Sequence, residues 1–273
     1  MTFPITAWIG GGNMASAIIG GLRAATAAAD RFIVIEPSAA QRQHLLESYG
    51  IVALEHADAS LARAAVVVWA VKPQSFAEAA ASVRPHLGDP LHVSIMAGVR
   101  CGAIARRSGA SRVIRSMPNT PALIGRGIAG LYANPACSPS DRELAARLLA
   151  PTGELLWVDA ETGLDTVTAV SGSGPAYVFY LVEAMTAAGV ELGLPAASAK
   201  QLAVATFAGA AELAARSPLQ PAQLREQVTS KGGTTAAALA VLADRGVADA
   251  FSQALRAAAR RAAELGDALD ADS

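Results

Sequence analysis

The chain has 273 residues, 52% of them hydrophobic, and a formal net charge of −1 at neutral pH. That length and apolar content suffice for one large core or two ordinary ones and exclude extended disorder. Arg, Asp and Glu are intermixed without a basic stripe, so neither nucleic acid nor an anionic membrane is expected as a partner, and a small neutral or anionic ligand fits better.

From the start, residues 1–8 carry an apolar stretch with no basic region before it, which runs directly into glycines and reads as a first strand rather than a secretory signal. Strands are predicted at 5–9, 32–36, 65–70, 91–95 and 112–116, separated by helix-length segments at 14–28, 39–49, 75–87 and 101–108. Two further strands are expected at 128–132 and 154–157, around a helix near 140–149. Alternating elements of this kind specify a doubly wound, mainly parallel sheet. Beyond about Asp159 strand signals stop, and alanine-rich helices follow, broken near 172–175, 193–195, 217–221, 230–235 and 245–246 by glycine, proline or polar residues. The expected division is therefore a dinucleotide-binding Rossmann-type domain over 1–159 and an all-α domain over 160–273. Its apolar helical stretches, such as 177–182 and 202–211, offer more surface than one copy can cover, so a homo-oligomer is expected. No apolar run is long enough to cross a bilayer before a glycine, proline, serine or Glu183 interrupts it, and a soluble, cytoplasmic protein is expected. Cys101 and Cys137 lack CxxC spacing and read as free thiols, with no disulfide framework and no metal site.

Trp8-Ile9-Gly10-Gly11-Gly12-Asn13-Met14-Ala15 supplies G-x-G-x-x-A between a predicted strand and a predicted helix. Gly10 suits a tight turn, Gly12 a close approach of backbone to pyrophosphate, and Ala15 close packing of helix on strand, while the helix N-terminus offers free N–H donors to phosphate. The second strand ends at Glu36, where a carboxylate accepts from the adenosine ribose hydroxyls and repels a 2′-phosphate. Arg42, and less directly Gln41, follow on the next helix, where a guanidinium could still meet that phosphate, so NADH and NADPH both stay open. Ala70-Val71-Lys72-Pro73 follows the strand at 65–70, on the edge where open sheets hold ligands. Lys72, one of three lysines with Lys200 and Lys231, could face cofactor, substrate or solvent. Ile95, Met96, Ala97 and Gly98, after the next strand, are compact enough to admit a nicotinamide or simply to turn.

Three other segments combine hydroxyls with helix starts: Arg115-Ser116-Met117-Pro118-Asn119-Thr120-Pro121, Ala169-Val170-Ser171-Gly172-Ser173-Gly174-Pro175-Ala176-Tyr177 and Val228-Thr229-Ser230-Lys231-Gly232-Gly233-Thr234-Thr235. Each can cap a helix or form a nest for a carboxylate. Together with the glycine motif, in this order and across nearly the whole chain, they resemble pyrroline-5-carboxylate reductase. The resemblance implies a Rossmann domain followed by a helical dimerisation domain, and reduction of 1-pyrroline-5-carboxylate to L-proline with NADPH or NADH, the last step of proline biosynthesis. It also implies a homodimer that can build a ring of dimers such as a decamer. By the same resemblance Gly10, Gly11, Gly12, Asn13, Met14, Ala15, Ala70, Val71, Lys72, Pro73, Ile95, Met96 and Ala97 line the cofactor. Ser230, Gly232, Gly233, Thr234 and Thr235 hold the substrate, and Glu161 lies near it. Two positions depart from the family pattern: Lys231 stands where many relatives have proline, and Glu36 where many have a small polar residue.

Ketone reduction needs a proton donor for the developing alkoxide, commonly His or Lys. His44, His56, His86 and His92 all precede the candidate substrate segments. A protonated cyclic imine needs no such acid, because hydride addition leaves a neutral amine. Positioning is then the main task, with Thr235 oriented toward the ring nitrogen as the expected catalytic group. A β-hydroxyacid dehydrogenase would share the domain plan but need a catalytic helical lysine, for which Lys200 lacks a setting. A dinucleotide-binding redox sensor would have no need of the polar loop 230–235.

Overall fold

A computed structural model of the chain describes residues 3–26 and 28–271; Ala27 of the first expected helix lies outside them. One sheet holds β1 (Thr6–Ile9), β2 (Phe32–Ile35), β3 (Val66–Trp69), β4 (Leu91–Ser94), β5 (Val113–Met117), β6 (Gly127–Ala133) and β7 (Gly153–Trp157). Their spatial order is β2-β1-β3-β4-β5-β6-β7, and every pair is parallel except β5–β6. All seven coincide with expected strands to within one residue at each end.

One pairing was not expected. Leu54 forms a lone parallel bridge with Ile35, its N–H donating to Val34 O and its carbonyl accepting from Glu36 N–H, both at 2.8 Å. Residue 54 thus sits on the outer edge of β2, and the order Leu54–β2–β1–β3–β4 is that of a Rossmann sheet whose third strand is reduced to a single residue.

The strands β1 to β4 are buried on both faces, as parallel strands covered by crossover helices must be. Alternate residues sort into two cores. Trp8, Val34, Val68, Val93 and Ile114 meet α1 (Asn13–Thr26), α2 (Ala39–Tyr49) and α5 (Pro139–Leu149) on one face. Ala7, Ile33, Val67 and Trp69 meet α3 (Phe76–Val83) and α4 (Cys101–Ser108) on the other. Helix α1 buries Ala15, Ile18, Ile19 and Leu22, a spacing that places one apolar stripe against the sheet. Helix α2 is capped by Ser38, whose hydroxyl accepts from Gln41 N–H, and ends at Gly50 in the left-handed region at φ 67°. The helix expected over 75–87 is α-helical only in α3. Pro73 and Pro85 lie in 3-10 turns that flank it, consistent with proline's missing N–H donor.

The chain separates into two compact units, Met1–Gly172 with Ala258–Ser273, and Ser173–Ala257. The break expected at 159/160 therefore precedes the division between units. The short α6 (Gly163–Val167), the π-helical turn Thr168–Gly172 and the end of the last helix group with the sheet. Arg100 holds the last helix to this unit through Asp267 at 2.6 Å, and Arg106 does so through Asp270 at 2.7 Å.

The second unit contains α7 (Gly174–Glu191), α8 (Ala196–Arg216), α9 (Pro221–Gln227), α10 (Thr234–Asp244) and the first part of α11 (Val247–Ala271). Helices α7 and α8 meet where Gly189 faces Ala199; a Cβ on Gly189 would come within 3.0 Å of the alanine methyl. Tyr177 and Phe251 touch edge to face, with centroids 6.3 Å apart. Among the described residues of this unit only Ala199 and Ala203 are buried. A groove of about 820 Å³ runs between α9, α10 and α11, lined by Leu239, Leu242, Val247 and Phe251. No helix among the described residues is long and apolar enough to cross a membrane.

Candidate dinucleotide and substrate sites

The β1–α1 turn is built from glycines for two different reasons. Gly10 has φ 98°, and a Cβ there would lie 2.7 Å from Ala70 O, while its N–H donates to Ile35 O at 2.9 Å. The turn is therefore pressed between the ends of β2 and β3 and admits no side chain. At Gly12 a Cβ would meet nothing within 4 Å, so the space over the turn is open to a ligand. Gly12 and Asn13 are exposed, Met14 is half-buried against the core, and Ala15 is buried where α1 meets the sheet. The first N–H groups of α1 have no intrahelical partner and face this space, a fit for pyrophosphate.

At the end of β2, Glu36 is held at both oxygens. Oε2 accepts from Gly11 N–H and Oε1 from Ser38 N–H, each at 2.8 Å. Arg42 donates through NH1 to the carbonyls of Glu36 and Pro37, at 2.9 and 2.7 Å, and through NH2 to Glu55 at 2.9 Å. Gln41 donates to Gly11 O and to Ser16 Oγ. Beside this turn lies a pocket of about 430 Å³ lined by Gly10, Pro37, Glu55, His56, Val71 and Glu78 among others. It lies at the carboxyl edge where the strand order reverses between β1 and β3, the edge at which open α/β sheets hold their ligands. Glu55 and Glu78 were not singled out in the sequence, and His56 was considered only as a proton donor; Glu55 and His56 follow a one-residue bridge that leaves no sequence signal, and Glu78 lies in the first turn of α3.

Of the β3 loop, Ala70 and Val71 are half-buried, Pro73 opens a 3-10 turn, and Lys72 is exposed with no hydrogen bond or ion pair from its ammonium among the described residues. Of the β4 loop, Ile95 is half-buried and Ala97 exposed. Met96 sends its side chain into the core and donates its N–H to Ser94 Oγ at 3.2 Å, so only its backbone remains for a ligand. Ala97 and Gly98 join Pro73, Asp165, Thr168 and Leu265 around a second pocket of about 330 Å³. Burial pushes the Asp165 carboxyl above its usual range, with Arg100 and Arg115 opposing and Asp267 and Glu161 adding to the rise.

Glu161 is tied down as well. Its Oε1 accepts from the N–H of Cys101, the first residue of α4, at 2.7 Å and pairs with the buried guanidinium of Arg115 at 2.8 Å. Burial, and then Glu161, push the Cys101 thiol up, which leaves it inert. His92 is buried in β4, stacks on Trp69 and accepts from Trp69 Nε1 through Nδ1 at 2.9 Å; burial lowers its pKa to about 4. His44 and His56 are exposed and His86 half-exposed, and none is hydrogen-bonded to a candidate substrate residue.

In the helical unit the polar loop between α9 and α10 ends on Gly233, the N-cap of α10. Gly232 has φ 73°, and Gly233 donates its N–H to Ser230 O at 3.0 Å. A Cβ on Gly233 would meet Ser230 Oγ, which can rotate aside, so the backbone of this loop demands glycine at Gly232, with its positive φ, rather than at Gly233. Among the described residues nothing in the protein hydrogen-bonds to the hydroxyls of Ser230, Thr234 or Thr235, and Thr235 is half-buried while Ser230 and Thr234 are exposed. Free hydroxyls beside the unpaired N–H groups of an 11-residue helix can accept a carboxylate.

Known proteins align along nearly all of this chain. Residues 161–265 match the family described as pyrroline-5-carboxylate reductase dimerisation, and residues 6–98 match NADP oxidoreductase coenzyme F420-dependent. The pyrroline-5-carboxylate reductase of Pseudomonas aeruginosa is 44% identical over 271 residues, covering 98% of this chain and 99% of that protein. The Synechocystis protein of the same name is 41% identical over 94% of this chain and 97% of its own. Among solved structures, the pyrroline-5-carboxylate reductase of Coxiella burnetii superposes with a TM-score of 0.90 at 35% identity, covering 97% of this chain and 99% of that one. The Plasmodium falciparum pyrroline carboxylate reductase, solved with NADP bound, superposes with a TM-score of 0.85 at 27% identity, covering 97% and 99%.

Proposed function

This chain belongs to the pyrroline-5-carboxylate reductase family, and from that premise we propose the parts that its residues take in reducing 1-pyrroline-5-carboxylate to L-proline with NAD(P)H. The observation that carries most weight is the β1–α1 turn, where Gly10 admits no side chain and the space above Gly12 is free. The dinucleotide supplies a hydride when bound. Gly10, Gly11, Gly12, Asn13, Met14 and Ala15 set the pyrophosphate at the start of α1, Glu36 takes the adenosine ribose, and Ala70, Val71, Lys72 and Pro73 with Ile95, Met96 and Ala97 line the remainder.

On the substrate side, the N–H groups at the start of α10 and the hydroxyls of Ser230 and Thr234, shaped by Gly232 and Gly233, hold the carboxylate. Thr235 directs its hydroxyl to the ring nitrogen. Glu161, its Oε1 held by Arg115 and the Cys101 N–H, is assigned a place near the substrate by the family resemblance. As hydride adds to the C=N carbon of the protonated imine, C2 of the pyrroline, the C=N π pair moves to nitrogen and leaves a neutral amine, so no histidine or lysine acid is needed. Catalysis is then chiefly orientation and electrostatic fit. Self-association through the helical unit completes the reading: a homodimer, able to build a ring of dimers such as a decamer, working in the cytoplasm without nucleic acid or membrane. Its support is the apolar surface that the helices leave uncovered.

Loss of NADH or NADPH absorbance with purified protein should depend on the pyrroline and fail with a 2-keto acid. Thr235→Ala and Thr235→Val should lower kcat/KM for the imine by about tenfold or more, the effect of one hydrogen bond made at the reacting atoms. Unchanged kcat and KM in both variants would remove Thr235 from the mechanism.

A further inference from the structure

NADH and NADPH differ by one phosphate on the adenosine ribose, and the turn after β2 carries two charged side chains, Glu36 and Arg42, each held by hydrogen bonds. We infer that it is built for an unphosphorylated ribose, so that this chain takes NADH in preference to NADPH. The inference refines the reductase reading above and rests on it for the reaction, though not for the binding.

Three observations converge. Glu36 cannot swing aside freely, because leaving would unpair the N–H groups of both Gly11 and Ser38 that hold it. A carboxylate fixed there can accept from ribose hydroxyls, whereas a phosphate brought beside it meets like charge. Arg42, the guanidinium bonded into this turn, is already committed: NH1 to two carbonyls and NH2 to Glu55. Turning it to a phosphate would break a charge-assisted pair and leave Glu55 without its arginine. Finally, the adjoining pocket adds the carboxylates of Glu55 and Glu78 against one histidine, His56, which itself lies 3.6 Å from Glu55. Lys72 does not line that pocket. The potential around the 2′ position is therefore acidic, although a relative with the same overall fold was solved with NADP bound.

Calorimetric titration of NADH and NADPH into the full chain, without imine, tests this independently of turnover. The unmodified protein should bind NADH at least about tenfold more tightly, which corresponds to about 1.4 kcal/mol. Glu36→Ser and the isosteric Glu36→Gln should each shrink or reverse that ratio, the second keeping the test valid if the first folds poorly. Glu55→Gln, which loosens Arg42 while leaving Glu36 in place, should narrow the ratio by less. Equal or tighter NADPH binding by the unmodified protein, or an unchanged ratio in both Glu36 variants, overturns the inference. If both dinucleotides bind but neither is oxidised by the imine, the reductase reading fails, and the binding ratio still decides this one.

Discussion

In the α/β unit, Trp8, Trp69, Ile18 and Leu148 are fully buried, while in the helical unit Phe179, Tyr180 and Leu202 are 66%, 70% and 57% exposed. Both regions are similarly rich in apolar residues. They differ because a parallel sheet with helices on both faces closes its own core, whereas this helical set closes little beyond the α7–α8 seam. An exposed apolar face of that extent is stable when a second surface covers it, and the match of residues 161–265 to a dimerisation family accords with a second copy of the chain as that cover. One unit thus closes its core by internal packing, while the other leaves an apolar face open to a covering surface.

The largest expected effect tests the second half of that contrast. Placing charges on the helical face with Phe179→Glu and Leu202→Glu should weaken self-association by about a thousandfold or more, read as dissociation in sedimentation velocity, because two unpaired charges would have to be buried. Retention of the full assembly would mean that another face holds it together. Next, Ile18→Ala in the core of the α/β unit should cost about 3–4 kcal/mol in denaturant unfolding of that unit, with no dependence on protein concentration.

A pH titration separates the units further. The folded chain holds His92 neutral down to about pH 4, whereas an unfolded histidine takes its proton near 6.5. Above pH 6.5 the two states bind the same number of protons, so the group has no effect; as pH falls from 6.5 to 4 the unfolded state binds more. Stability of the α/β unit should fall across that window by about 3 kcal/mol in total. His92→Gln, which keeps an acceptor for Trp69, should flatten the slope, and an unchanged slope would assign it to other groups. The smallest effect belongs to the surface of the helical unit: Arg216→Ala breaks an exposed i,i+4 pair with Glu212 and should change stability by less than about 0.5 kcal/mol.

The seven strands were legible because each short apolar run is bounded by turn residues, and the helical breaks at 193–195, 217–221 and 245–246 were legible because glycine and proline stop helices locally. Leu54 escaped because a one-residue strand has no periodicity; only its bonds to Val34 and Glu36 reveal it. Met96 sits in the expected loop, but the direction of its side chain depends on the turn made by Ser94. Glu161 was placed near the substrate by family resemblance, and its attachment to Arg115, 46 residues away, has no local trace.

The sequence by itself determined where the glycine turn after β1 lies, since only glycine tolerates the φ of Gly10 and the closeness of Ala70, and it determined which half is sheet and which is helix, since periodicity is local. Tertiary structure alone decided what Glu36 and Arg42 are free to do. Both were visible as charges, Glu36 at the end of β2 and Arg42 on the following helix, but whether a carboxylate faces a ribose or a guanidinium meets a phosphate depends on partners brought from Gly11, Ser38 and Glu55 by folding. Charge is a property of the residue; its availability is a property of the neighbours.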